Sequence, residues 1–136
     1  MAEAFVGVWG NAIVENFDAY LKEVGVGFFL RTLAKTVRDR TTITVNGDKV
    51  TLLSESTFKN FSVTWTLNKE EIQETLDGRK FLTTVTVKDG KLIEVQKPIK
   101  EGSKGSVITR YIKDDKLIVE LDCNGVVAKH TYTRLS

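Results

Sequence analysis

The chain has 136 residues, of which 41% are hydrophobic and 28% charged, and its net charge is +2. That length suits one domain over residues 1–136 burying roughly two-thirds of its unfolded surface, and the composition excludes a disordered, tail-like protein. So small a charge gives no footing for a nucleic-acid partner, and one histidine with one cysteine excludes a structural zinc site and an internal disulfide.

At the N-terminus, Glu3 and the interruptions at Gly7, Gly10 and Asn11 break any leader-like apolar run, and no stretch approaches the roughly 20 apolar residues of a bilayer span. A cytoplasmic location is the expectation, and a lone thiol suits a reducing compartment. A first strand is expected over Phe5–Val14. Phe17, Tyr20, Leu21 and Val24 then recur at i, i+3, i+4 and i+7 behind a candidate N-cap, Asn16, with Gly25 placed to end the helix. A second short helix follows, with Phe29, Leu30, Leu33, Ala34 and Val37 on its apolar face. Arg31, Lys35 and Arg38 make this segment basic, with no acid from Val24 to Arg38. Contact with an anionic membrane surface, sensitive to salt, is one expectation for such a segment, and a solvated charged face is the other.

From about Arg40 the chain reads as an antiparallel meander. Asn46-Gly47 and Asn124-Gly125 are two-residue hairpin signals, and Lys88-Asp89-Gly90 and Lys113-Asp114-Asp115 are further turns between runs rich in Val, Ile, Thr and Phe. So many strands in one small domain hide their edges best by closing into a barrel, with the two helices as a lid over an open end.

Alternation on the late strands identifies the inward face. Leu117, Val119, Leu121 and Cys123 point one way, and Lys116, Ile118, Glu120 and Asp122 the other. Two-residue loops at Asn124-Gly125 and Asp114-Asp115 pair Val119 with His130 and Arg110, and Leu117 with Tyr132 and Ile112. Arg110, Val119 and His130 then share one inward row, with Tyr132 in the next. Neighbouring strands lie about 4.8 Å apart, so one small group could sit between the Arg110 and His130 side chains. An inward guanidinium keeps its charge and needs an internal acid, acceptors, water or an anionic ligand. His130 read alone could equally be a hydrogen-bonded filler.

Gly7-Val8-Trp9, Glu15-Asn16-Phe17-Asp18-Ala19-Tyr20-Leu21 and Gly25-Val26-Gly27-Phe28 closely resemble the opening of the intracellular fatty acid-binding proteins, the family that also contains the cellular retinoid-binding proteins. Further matches are Asn46-Gly47-Asp48, Ser56-Thr57-Phe58-Lys59-Asn60, Asp77-Gly78-Arg79-Lys80, Asp89-Gly90-Lys91-Leu92, Arg110 and Tyr132. The segment from Glu55 to Asn60 and the ending Tyr132-Thr133-Arg134-Leu135-Ser136 are similar to those of invertebrate, flatworm members. The resemblance implies an all-β, up-and-down antiparallel barrel of about ten strands with a two-helix lid, around a watery cavity for a long-chain fatty acid. In the family's commonest mode the carboxylate is held by two arginines and a tyrosine. Arg110 matches the first arginine and Tyr132 the tyrosine, but His130 stands where the second arginine is expected. Histidine offers two donors only when protonated and lacks a bidentate fork, so carboxylate binding is expected to couple to proton uptake. Asn11, at a usually apolar position, and extra residues around Lys100 to Gly105 are further departures.

The same resemblance implies hydrocarbon-tail and entrance contacts from Phe17, Tyr20, Leu21, Leu33, Ala34 and Phe58. It places Val119 beside the head group, and Asp77 and Arg79 as an inward acid and base that organise water; plain packing and a structural ion pair are the alternatives. The implied function is noncovalent binding and intracellular transport of long-chain fatty acids by a monomer with no cofactor and no metal. Retinoids, eicosanoids or other hydrophobic anions are alternative cargoes. An enzyme is the competing class, but no nucleophile elbow, phosphate loop or metal cluster is present. A barrel packed shut and used for protein interaction is a third.

Overall fold

Turn chemistry dictates most of the architecture. In this computed structural model, which describes residues 2–136, Asp89-Gly90, Asp114-Asp115 and Asn124-Gly125 each form a two-residue loop with both φ angles between 51° and 85°. Such loops match the right-handed twist of the strands they join, and Asn, Asp and Gly tolerate them best. The loop near Gly47 falls one residue later than the sequence suggests. Asn46 pairs with Lys49, leaving Gly47 (φ 64°) and Asp48 as the turn. This register sets Val45 opposite Val50 and Ile43 opposite Leu52, whereas an Asn46-Gly47 loop would set Val45 opposite Asp48.

The described residues form ten strands and two helices in the order β1 (Gly7–Glu15), α1 (Phe17–Val24), α2 (Phe28–Ala34), β2 (Arg40–Asn46), β3 (Lys49–Glu55), β4 (Phe61–Thr66), β5 (Glu71–Glu74), β6 (Lys80–Lys88), β7 (Lys91–Pro98), β8 (Ser106–Lys113), β9 (Lys116–Cys123) and β10 (Val126–Arg134). All ten strands belong to one antiparallel sheet in which β1 and β10 pair, so the first and last strands close the meander. Among the described residues the ladder is interrupted only between β4 and β5. There Gln73 Nε2 reaches the Thr64 carbonyl at 3.5 Å, and Glu71 Oε1 lies 3.4 Å from the Thr66 N–H.

The first strand starts later than Phe5, because Glu3–Phe5 form a 3-10 turn. That turn buries Phe5 and offers its carbonyl to Trp9 Nε1 at 3.0 Å. The strand then bulges at Asn11 (φ 51°), where the register against β10 shifts between Gly10 and Ile13. A polar residue that tolerates left-handed backbone at a bulge explains the departure noted at Asn11.

Helix α1 ends as expected: Gly25 (φ 100°) donates to the Lys22 carbonyl and Val26 to that of Leu21, the paired bonds of a Schellman motif. Its start differs. Asn16 is left-handed (φ 58°) and does not cap; its Nδ2 donates to the Val127 carbonyl at 2.9 Å, tying the helix to β10. On α2, Leu30, Leu33 and Ala34 turn inward, whereas Phe29 is 79% and Phe28 73% exposed. Phe29 precedes Leu30 by one helical step of about 100°, which carries it off the inward stripe.

Two apolar clusters result. One gathers Phe5, Trp9, Ile43, Val50, Trp65, Leu92 and Leu117, and the other packs Tyr20, Val24 and Val26 against Cys123 and Ala128 beneath α1.

Candidate functional site

A cavity of about 360 Å³ lies within the barrel, in the size range of small-molecule sites. Phe17, Tyr20, Leu21, Leu33, Ala34, Phe58, Asp77, Arg79, Arg110, Val119, His130 and Tyr132 all line it, as do Leu121, Trp65 and Ile108. The register that brings the polar members together is the one counted from the hairpin loops. Arg110 pairs with Val119 and Val119 with His130, and Tyr132 lies opposite Leu117 in the next inward row.

Arg110 is answered inside the barrel. Its Nη1 donates to Glu94 Oε1 at 2.8 Å, the other Glu94 oxygen accepts from Gln96 Nε2 at 3.1 Å, and the two charged side chains are only 11% and 8% exposed. The guanidinium also stands 5.1 Å from the Trp65 ring, a cation–π distance. Of the partners open to an inward arginine, the structure uses an internal acid.

Tyr132 is engaged in the same way. Its hydroxyl donates to Asp39 Oδ1 at 2.6 Å, while Thr41 Oγ1 and Ser54 Oγ donate to Asp39 Oδ2 at 2.8 and 2.5 Å. Three hydroxyls thus converge on the Asp39 carboxyl group. Burial, reinforced by the Asp39 charge, pushes the Tyr132 hydroxyl well above its ordinary ionisation range and keeps its proton in place.

His130 is set in more apolar surroundings than Arg110 and Tyr132. The imidazole meets Phe17 of α1 edge-on, with ring centres 4.6 Å apart and planes at 82°. Burial pushes its pKa from 6.5 down to about 4; Asp39 opposes the shift, and Arg38 and Arg110 add to it. The ring is neutral at physiological pH, and its buried Nε2 has no hydrogen-bond partner among the described residues.

Around the rest of the cavity, Phe17 stacks on Tyr20 at 6.2 Å, and the Tyr20 hydroxyl donates to Ser106 Oγ at 2.8 Å. Leu33 and Ala34 come from α2, and Phe58 from the turn after β3. Asp77 and Arg79 form an ion pair of 2.7 Å in the β5–β6 turn. Asp77 also accepts from Thr75 Oγ1, and Arg79 reaches the Val24 carbonyl at the end of α1 at 3.5 Å. Cys123 is buried, and burial raises its thiol pKa, the reverse of an activated nucleophile. Among the described residues no cluster of His, Cys, Asp and Glu is arranged to hold a metal.

Sequence reasoning did not find Asp39 or Glu94. On β7 the inward set Leu92, Glu94, Gln96 alternates with the equally apolar Ile93 and Val95, so phase alone does not reveal an inward acid. Asp39, between Arg38 and Arg40 just before β2, reads as one charge in a solvated run.

Residues 6–135 match the model of the lipocalin / cytosolic fatty-acid binding protein family. Fatty acid-binding protein homolog 5 of Caenorhabditis elegans is 45% identical over 133 residues, covering 98% of each chain. Among solved structures, apo lipid binding protein 8 of Caenorhabditis elegans superposes with a TM-score of 0.94 at 30% identity, covering 98% of this chain and 97% of the other. The Schistosoma mansoni fatty acid binding protein in complex with arachidonic acid superposes at 0.89 with 34% identity, again covering 98% and 97%. A ten-stranded barrel, a two-helix lid, an interior cavity and a family match over nearly the whole length agree, and the chain belongs to the lipocalin / cytosolic fatty-acid binding protein family.

Proposed function

We propose that the protein binds long-chain fatty acids noncovalently in the barrel cavity and carries them within the cytoplasm as a monomer, performing no reaction on them. The observation that carries this reading is a single cavity with two characters. Its lid side is apolar, from Phe17, Leu21, Leu30, Leu33, Ala34 and Phe58, and the strands contribute Arg110, His130 and Tyr132 as a polar pole. An acyl chain gains by leaving water along the first surface, while a polar head needs partners such as the second offers. The Schistosoma relative with bound arachidonic acid supports the same occupant here. Phe17, Tyr20, Leu21, Leu33, Ala34, Phe58 and Val119 would contact the chain, and the Asp77–Arg79 pair would border its entrance.

Delivery to an anionic membrane surface belongs to this proposal, with its contact surface revised. Arg31 is not free to reach lipid: it donates to Asp18 Oδ1 at 3.2 Å and to the Val26 carbonyl at 2.8 Å, and its side chain is 16% exposed. Lys35 and Arg38 remain exposed, as do Phe28 and Phe29 on the same helical segment, a combination of bases and aromatic rings suited to a lipid interface.

Gentle purification followed by native mass spectrometry and lipid extraction tests the reading, together with titration of the stripped protein with oleate. The expected results are a co-purifying long-chain lipid and saturable one-domain binding. A protein that carries no lipid and shows no saturable uptake of oleate would overturn it.

A further inference from the structure

Helix α1 is fastened at both ends by residues distant in sequence. Asn16 ties its start to β10, and in its last turn Glu23 Oε2 accepts from Lys104 Nζ at 2.8 Å and from Asn124 Nδ2 at 3.1 Å. One turn back, the Tyr20 hydroxyl donates to Ser106 Oγ, so two residues of one helix face meet the end of the β7–β8 loop. A carboxylate in the last turn of a helix is opposed by the helix dipole. Glu23 is therefore placed for its partners in the β7–β8 loop and the β9–β10 turn rather than for the helix itself.

The β7–β8 loop, noted above for its extra residues from Lys100 to Gly105, has a fixed path toward α1. Gly105 lies so close to β7 that a β-carbon there would come within 2.1 Å of the Gln96 carbonyl oxygen, and the Ser103 N–H closes the tip of the loop on the Lys100 carbonyl. Lys104, next to this anchored base, reaches Glu23. Helix α2 has no such tie. None of its residues is buried, and among the described residues its side chains bond no strand: Thr32 returns to the Phe28 carbonyl, and Arg31 reaches Asp18 and the Val26 carbonyl.

From this contrast we propose that the β7–β8 loop is a strap that holds the end of α1 through the Lys104–Glu23 pair and so sets how long a bound ligand stays in the cavity. While the strap is fastened, α2 swings aside alone. Once it is released, the end of α1 and the Gly25–Gly27 link move with α2, and the opening widens. Tyr20, Leu21 and Val26 at that end line the cavity, whereas Glu23 and Lys104 do not, so the pair acts on passage rather than on contact with the ligand. Lys104 and Glu23 are thus positioning residues. The inference rests on the reading of the cavity as an acyl-chain site and concerns only the rate of exit from it.

The test is the rate at which anthroyloxy-labelled stearate leaves the protein when excess oleate displaces it, followed by stopped flow at pH 7.4 without vesicles. Lys104→Met and Glu23→Gln should each raise that rate about two- to fivefold, the scale open to one exposed ion pair, with entry accelerated alike and Kd changed by less than about twofold. Lys104→Glu should act in the same direction. Combined with Glu23→Lys, which restores the pair with its charges exchanged, it should return close to the original rate. Because solvent reaches both partners, added sodium chloride should speed exit from the unaltered protein and leave Lys104→Met unaffected. Amide hydrogen exchange in the last turn of α1 reports whether the helix end has come loose. Faster exchange without faster exit overturns the control of residence time, unchanged exchange overturns the strap itself, and a double variant as fast as Lys104→Glu overturns the pairing. Absence of saturable binding of the labelled stearate by the unaltered protein overturns instead the acyl-chain reading on which the inference rests.

Discussion

His130 is the only histidine in the chain, so its titration can be isolated. In the folded protein its pKa lies near 4 rather than 6.5, chiefly because the lid helix and the barrel wall exclude water from the ring. The unfolded chain therefore binds a proton first as pH falls. Stability that is complete above about pH 6.5 is lost progressively toward pH 4, and the loss at pH 5 amounts to about 2 kcal/mol. For a domain of this size that corresponds to about 7 °C in melting temperature. His130→Gln removes the titration while retaining polarity. Urea unfolding at pH 7.5 and pH 5.0 should show the unaltered protein losing about 2 kcal/mol more than the variant. Subtracting the variant cancels the carboxylates, whose own titration overlaps the lower end of this range. In parallel, the ring C–H proton resonances should stay at their neutral positions down to pH 5. Equal pH slopes in the two proteins, or a ring that titrates between pH 6 and 7, would refute a water-excluded neutral imidazole.

Arg110→Leu leaves Glu94 buried without its cation and should cost about 3 kcal/mol, while Arg110→Leu combined with Glu94→Leu should return to within about 1 kcal/mol of the original; urea midpoints would show it, and a single variant of unchanged stability would contradict a buried pair. Arg110→Gln should also weaken oleate by about 1.5–3 kcal/mol, the scale of a charge-assisted hydrogen bond, read by calorimetric titration. Gly105→Ala places a methyl 2.1 Å from the Gln96 carbonyl oxygen, so the β7–β8 connection must shift; a loss of about 2 kcal/mol or more is expected in thermal melts. Transfer of a fluorescent fatty acid to vesicles should accelerate with anionic lipid and slow with salt, and Lys35→Glu with Arg38→Glu should abolish both dependences. Transfer indifferent to lipid charge and ionic strength would remove the basic helix from delivery.

The sequence by itself determined whatever short-range sterics decide. Asp114-Asp115 and Asn124-Gly125 admit few backbone paths, and the two-residue loops they form set the pairing of β8, β9 and β10, so the row Arg110, Val119, His130 and its neighbour Tyr132 could be counted from the turns. The stripe Phe17, Tyr20, Leu21, Val24 and the stop at Gly25 are equally local. Counting stops where a connection is long or a residue lies outside regular structure. The loop over residues 99–105 leaves the β7–β8 register open, which hid Glu94 beside Arg110, and Asp39 meets a hydroxyl 93 residues away. Asn16 and Phe29 show the same limit on a smaller scale, since an N-cap residue can bond another strand and a two-turn helix can turn an apolar side chain outward. The charge of the candidate site was decided by tertiary structure alone. Whether His130 holds a proton depends on how much water Phe17 and the barrel wall exclude, and whether Arg110 is open to an anion depends on a carboxylate from a different strand. Solvation and long-range electrostatics are sums over everything packed around a group, and no local pattern of residues contains them.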